Sequence, residues 1–232
     1  MLMHGVILGG ALSLVFSLPL LPVSVAVNLL LVFVLLRVTP DPAQGFGVGS
    51  AVAMVFSMAL ASLIMHAGKV PANDTLSLLW GSPFALTNMD VISLAGMAVL
   101  LLAYVALNFK KILALFYNQE VALSLGVNAR FHYAAIVTLI ALTVALAMKI
   151  LGALLIDSLL ILPVLLSTRI AALTQAGKGI GALFVISAVV GLILSLAGFT
   201  LALCFDLPPS GAIAIIAGGL YCLLGFIPKE RK

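Results

Sequence analysis

Charge is what this sequence has least of. Of its 232 residues, 8% are Asp, Glu, Lys or Arg, against about 25% in a soluble domain. That is too little to cover a water-facing surface, and it excludes a soluble enzyme, a disordered chain and a nucleic-acid binder. Cysteine is nearly missing too. Cys204 and Cys222 stand in apolar stretches without CxxC spacing, so they read as small buried hydrophobes rather than as a disulfide or a metal site. Also missing are a GxxxxGK[ST] loop, an HExxH helix and a GxSxG turn, which leaves no nucleotide cradle and no clustered acid–base chemistry. No Lys or Arg precedes the first apolar run, and such runs recur to the end of the chain. It therefore does not read as a signal peptide.

What is present is apolar length. The chain is 64% hydrophobic with a mean hydropathy of +1.35. A membrane-crossing helix needs roughly 20 apolar residues, with a range of about 17–25. Eight stretches qualify, at about 5–20, 22–37, 46–66, 90–108, 131–149, 151–168, 180–204 and 210–227. Unbroken apolar runs argue for helices over barrel strands, which alternate. The expected fold is an all-α polytopic bundle of about eight transmembrane helices in a single domain, 1–232. With both termini cytoplasmic, Arg37, Lys110, Lys111, Arg130, Arg169, Lys178, Lys229, Arg231 and Lys232 fall inside and only Lys69 and Lys149 outside. That is a strong positive-inside bias.

Two loops are long. The outer one, about 67–89, is partly apolar and is expected to form short interfacial helices anchored by Trp80. The inner one, about 109–130, has the apolar pattern of an amphipathic helix, with Glu120 early and Gly126 as its end signal. Such a segment lies on lipid or docks a soluble partner.

Asp157 is the one acid well inside a span. A charge there costs roughly 2.5–3.5 kcal/mol on insertion scales, so it is either a cation or proton ligand or a protonated Asp binding helices together. Ser158 and Pro163 beside it loosen the local backbone. His4, His66 and His132 all stand near helix ends, and no HxxxH pair exists, so spacing alone gives no metal site. Gly5 with Gly9, and Gly45 with Gly49, have small-xxx-small spacing, and Gly211, Gly218 and Gly225 recur every seven residues. Both patterns predict close packing against another span.

The run from Lys149 through Gly152 and Asp157 to Pro163 resembles the most recognisable stretch of the ABC-3 permeases, the membrane subunits of zinc, manganese and iron ABC importers. Three further segments match in family order. Leu79-Trp80-Gly81-Ser82 is similar to an outer-loop motif, and Glu120-Val121-Ala122-Leu123-Ser124-Leu125-Gly126-Val127 to a cytoplasmic coupling segment. Asp206-Leu207-Pro208-Pro209-Ser210-Gly211-Ala212 is similar to a "D-L-P-S-G" turn, with one extra Pro. The resemblance covers almost the whole chain. It implies a homodimer in the cytoplasmic (inner) membrane of a bacterium or archaeon, a cytoplasmic ABC ATPase dimer, an extracytoplasmic metal-binding protein and no permanently bound cofactor. It also implies coupling through Glu120, Ala122, Leu125 and Gly126, and gating or packing roles for Gly152, Pro163, Asp206, Pro208, Ser210 and Gly211.

The departure is at the front. Family members usually begin with another span leading to "G-D-x-x-x-H-(A/G)", whose Asp and His belong to the metal path. Met3-His4-Gly5 resembles the continuation from that His, and the Asp would fall just before Met1. Three accounts are open: a reading frame called short, a truncated and impaired gene, or Asp157 supplying the carboxylate. His4 and Asp157 are therefore the metal-ligand candidates. Imidazole with carboxylate suits zinc first, then manganese or iron. Two other functions are weighed. A gradient-driven carrier would use Asp157 as its proton site, and a truncated remnant would bind an ATPase without transporting.

Overall fold

The computed structural model describes residues 2–38, 42–81, 87–174 and 179–225. Ser82, Lys178, Lys229, Arg231, Lys232 and the surroundings of Gly45 and Gly225 lie outside the described residues. Within them the secondary structure is α-helical: α1 (Leu2–Phe16), α2 (Leu20–Val38), α3 (Pro42–Ala67), α4 (Ala72–Trp80), α5 (Asn88–Tyr117), α6 (Gln119–Ser124), α7 (Ala129–Thr174), α8 (Ile180–Phe205) and α9 (Pro209–Gly225). The all-α membrane fold expected from the apolar runs is the fold observed. Five helices are long and apolar enough to cross a membrane, and α1 and α9 are shorter apolar helices. The 46 residues of α7 would run about 69 Å at 1.5 Å per residue, about twice a hydrocarbon core of ~30 Å. Gly152, at φ 71° and ψ 166°, interrupts it.

Two compact units divide the chain, Met1–Ala153 and Leu154–Lys232. In the first, α1 is the centre: nine of its residues, from Met3 to Ser13, are buried. Its glycines set how close the neighbours come. A Cβ on Gly9 would lie 2.5 Å from the Ser24 Cα, and one on Gly5 2.8 Å from Asn28 Oδ1. The Gly5–Gly9 spacing thus meets a Ser24–Asn28 spacing on α2, which is the close approach that small residues permit. α2 also packs on the first part of α7 through Val32, Val137 and Ala141. There the buried Asn28 donates from Nδ2 to the Ala141 carbonyl at 2.9 Å. α4 lies over α1, its buried Leu78 filling the space above Gly10.

α5 runs antiparallel to the first part of α7, because Asp90 meets Lys149 while Tyr104 meets His132. It is longer than the 90–108 stretch expected. No breaker occurs before Asn118, so the helix passes through a kink at Asn108 (φ −111°, ψ 15°) and ends at Tyr117. Asn108 Nδ2 donates to the Tyr104 carbonyl at 3.1 Å, a local bond that competes with the helical ladder and bends it. The inner segment expected over 109–130 is therefore the end of α5 plus α6.

The second unit is an antiparallel set made by residues 154–174 of α7 with α8 and α9. Its core is Leu166, Leu194 and Ala217. A Cβ on Gly198 would lie 2.3 Å from Ile213 Cγ1, so α8 and α9 touch closely. Two expectations fail here. Cys204 and Cys222 are exposed, not buried, because a helix that is apolar all round gives no sign of which face is covered. Gly211 has only Pro208 nearby, at 3.6 Å, and Gly218 has nothing within 4 Å. Within the second unit, neither Gly211 nor Gly218 is therefore a point of close helix approach.

Candidate functional site

The outer-loop motif and the start of the Lys149–Pro163 run are brought together. Gly81 follows α4 with φ 74° and ψ 177°, a backbone conformation open essentially to glycine alone. Gly152 has nearly the same conformation. A Cβ on Gly81 would lie 2.4 Å from the Gly152 N, and one on Gly152 2.3 Å from the Gly81 N. Two bare backbones cross, and neither position has room for a methyl group.

One turn before that crossing, Lys149 Nζ donates to both oxygens of Asp90, at 2.8 and 3.0 Å. Asp90 is the third residue of α5 and closes a capping box: its carboxylate accepts from Thr87 N–H at 3.1 Å, and Thr87 Oγ1 accepts from Asp90 N–H at 3.2 Å. A carboxylate in the first turn also suits the helix dipole. The pairing leaves Lys149 with its counter-ion beside it. Sequence reasoning missed Asp90. The Thr87-x-x-Asp90 capping spacing was the signal that could have found it.

At the other end of α5, the coupling candidates form a defined piece. Asn118 caps α6, its Oδ1 accepting from Glu120 N–H at 2.8 Å and Val121 N–H at 3.4 Å. The helix stops in a Schellman arrangement: Val127 N–H donates to Ala122 O and Gly126 N–H to Leu123 O, each at 3.0 Å. Gly126 takes the left-handed φ of 74° that this stop requires. Ala122 is fully buried, whereas Glu120, Val121, Leu123 and Leu125 are exposed, as are Phe116 and Tyr117 just before. The result is a short helix with Ala122 inward, Glu120 and Ser124 on the opposite side, and Val121 and Leu123 bare on its two flanks.

His4 belongs to the first unit and Asp157 to the second. His4 lies on α1 beside the Gly5 approach to Asn28; Asp157 is half-buried, next to Ser158, whose hydroxyl donates to the Leu154 carbonyl at 2.7 Å. Among the described residues no group of three or more His, Cys, Asp or Glu is placed to hold a metal ion. Pro163 is buried within α7 and faces Gly191 of α8. Asp206 ends α8 in the left-handed region (φ 53°, ψ 38°). Pro208 O accepts from Ala212 N–H at 3.1 Å, and Ser210 is buried at the start of α9.

The family model described as "ABC 3 transport family" matches residues 1–227. The chain belongs to that family. It is 30% identical over 236 residues to the high-affinity zinc uptake system membrane protein ZnuB of Buchnera aphidicola subsp. Acyrthosiphon pisum (strain APS), covering 99% of this chain and 85% of the relative. It is 23% identical to the manganese import system permease protein ScaB of Streptococcus gordonii over 78% of this chain and 64% of the relative. Among solved structures, it resembles a chain of PsaBC from Streptococcus pneumoniae in complex with a Fab. The TM-score is 0.75 at 20% identity, covering 99% of this chain and 81% of that one. The fold is therefore shared as well as the sequence pattern, and the protein is a multi-pass membrane member of a transport family.

Proposed function

We propose that this chain is the membrane subunit of an importer for a divalent transition metal, zinc or manganese, driven by a separate cytoplasmic ABC ATPase dimer. The observation that carries the reading is α6. A capped helix ending at Gly126, with Val121, Leu123 and Leu125 bare at the end of a membrane helix, has the shape of a part that docks into a groove. Its place in a transport-family chain whose relatives are named for zinc uptake and manganese import supports a metal cargo. In this reading both termini are cytoplasmic, two copies line the path, and an extracytoplasmic metal-binding protein delivers the ion at the end where α4 lies. His4 and Asp157 are the side chains proposed to touch the metal in transit, with no cofactor held permanently.

The test is zinc and manganese accumulation in an uptake-deficient bacterial host. The host would express the chain with its ATPase and binding protein, beside a hydrolysis-dead ATPase. Accumulation that disappears with the dead ATPase is expected, and the metal that accumulates names the cargo. Accumulation indifferent to hydrolysis would replace this reading with a gradient-driven carrier using Asp157. An assembled complex that moves neither metal would mean that the chain as written does not transport.

A further inference from the structure

Between α5 and the first part of α7 runs an apolar groove of about 580 Å³, walled by Leu100, Tyr104, Leu107, Phe131, Ala135 and Leu139. Two of the lining residues carry a hydroxyl, Tyr104 and Thr138; that of Tyr104 lies 2.9 Å from His132 Nδ1, so Tyr104 offers the groove its ring. From Leu100 to Leu107 the groove follows α5 for about 10 Å, a large part of one leaflet's half of a hydrocarbon core of ~30 Å. Cations stand at the Leu107–Phe131 end of its walls. Lys110 and Lys111 follow Leu107 just beyond the kink at Asn108, and Arg130 immediately precedes Phe131. All three are exposed, and none takes part in an ion pair among the described residues. Arg37 reaches the same end, since α2 is antiparallel to this part of α7.

We infer that this groove is a binding site for an anionic phospholipid, its acyl chain along Leu100–Leu107 and its headgroup phosphate on Lys110, Lys111 and Arg130. An apolar channel ending in three unpaired cations complements a molecule with an apolar tail and an anionic head. A helix from a second copy complements it poorly, because the whole chain has 7 acidic residues to offer. The site is independent of which metal the chain moves, and of whether it moves one.

The test uses the full-length chain in mixed detergent with phosphatidylglycerol and phosphatidylethanolamine, lipid retention being read by native mass spectrometry. The wild type should keep phosphatidylglycerol in preference. K110Q/K111Q/R130Q should lose that preference, at roughly fivefold per charge removed, while K110R/K111R keeps it. A135F should lower occupancy by both lipids without altering the preference. A second measurement needs no mutation: stabilisation of the wild type by added phosphatidylglycerol should fall with salt, and that by phosphatidylethanolamine should not. Equal retention of the two lipids by the wild type, or a preference untouched by K110Q/K111Q/R130Q, overturns the site. So does A135F abolishing self-association with lipid occupancy unchanged, an outcome that would give the groove to a second copy.

Discussion

Lys149 Nζ lies 2.8 Å from one oxygen of the Asp90 carboxylate and 3.0 Å from the other, joining two helices whose partners are 59 residues apart in sequence. The contact ties the first turn of α5 to the last turn of α7 before Gly152. It is built unevenly: the Asp90 side chain is 8% exposed and the Lys149 side chain 37%, so the carboxylate depends on its partner more than the ammonium does.

Asp90→Asn should therefore lower the thermal unfolding midpoint in detergent more than Lys149→Gln plus any independent cap loss would account for. The amide keeps the shape but gives up the charge, and one of its two heavy atoms becomes a donor facing Lys149. Reversing the pair, Asp90→Lys with Lys149→Asp, should recover only part of the loss. The swap restores the attraction but removes the capping-box acceptor and places a cation at a helix N-terminus. Full recovery would show that the cap adds nothing beyond the ion pair, and no difference between the single and double variants would show that the ion pair is not the contact that matters.

The two crossing glycines make a sharper prediction, because a third glycine serves as their control. Gly152→Ala and Gly81→Ala each impose a strained left-handed backbone, at about 1–3 kcal/mol, and add a methyl within 2.5 Å of backbone that cannot rotate away. Either should sharply reduce the amount of folded chain extracted from membranes. Gly126 has the same φ of 74°, yet nothing lies within 4 Å of a Cβ there. Gly126→Ala should cost only about 1–2 kcal/mol, the conformational part alone. Similar expression of all three variants would refute the crowding argument.

The helices were legible in the sequence because an apolar run has few other ways to fold inside a membrane. So were the Gly5–Gly9 approach, the α4 helix in the outer loop and the Gly126 stop, each signalled by local spacing. What could not be read was which helix faces which. Asn28 bonds to a carbonyl 113 residues away, and Tyr104 to a histidine for which the sequence shows only a place near a helix end. Helices that are apolar on every side hide their packing face from any periodicity. The same blindness misplaced Cys204 and Cys222 and gave the Gly211–Gly218 stripe a close neighbour that the second unit does not supply. The Gly81–Gly152 crossing was half visible: both residues lay in recognised motifs, and only the structure put them together.

Asn28 offers a measure of one polar bond between helices. Replacing it with Leu removes the donor to Ala141 and drives bulk towards Gly5, whereas Asn28→Ala removes the bond and the amide's volume without adding bulk. Interhelical hydrogen bonds in membranes average about 0.6 kcal/mol and reach about 1–2 kcal/mol. Asn28→Ala should therefore be mildly destabilising in a denaturing-detergent titration, by roughly 0.5–2 kcal/mol, and Asn28→Leu clearly worse. Equal losses would mean that the α1–α2 seam has room to spare, against the 2.8 Å approach at Gly5.

The coupling role proposed for α6 separates into a surface and a support, and substitutions can address each alone. Leu125 is 67% exposed, so Leu125→Asp should leave the fold intact while abolishing co-purification with the ATPase and metal uptake together. Ala122 is fully buried under the same helix. Ala122→Leu should displace α6 and give the same loss of uptake, but with reduced stability. Asn118→Ala removes both cap bonds, which at about 1 kcal/mol frays a helix of six residues without altering its exposed face. Its uptake should fall less, and should recover with Asn118→Asp, which can accept the same two backbone bonds. If Leu125→Asp leaves ATPase binding untouched, α6 is not the docking helix and the exposed Val121, Leu123 and Leu125 lie on lipid instead.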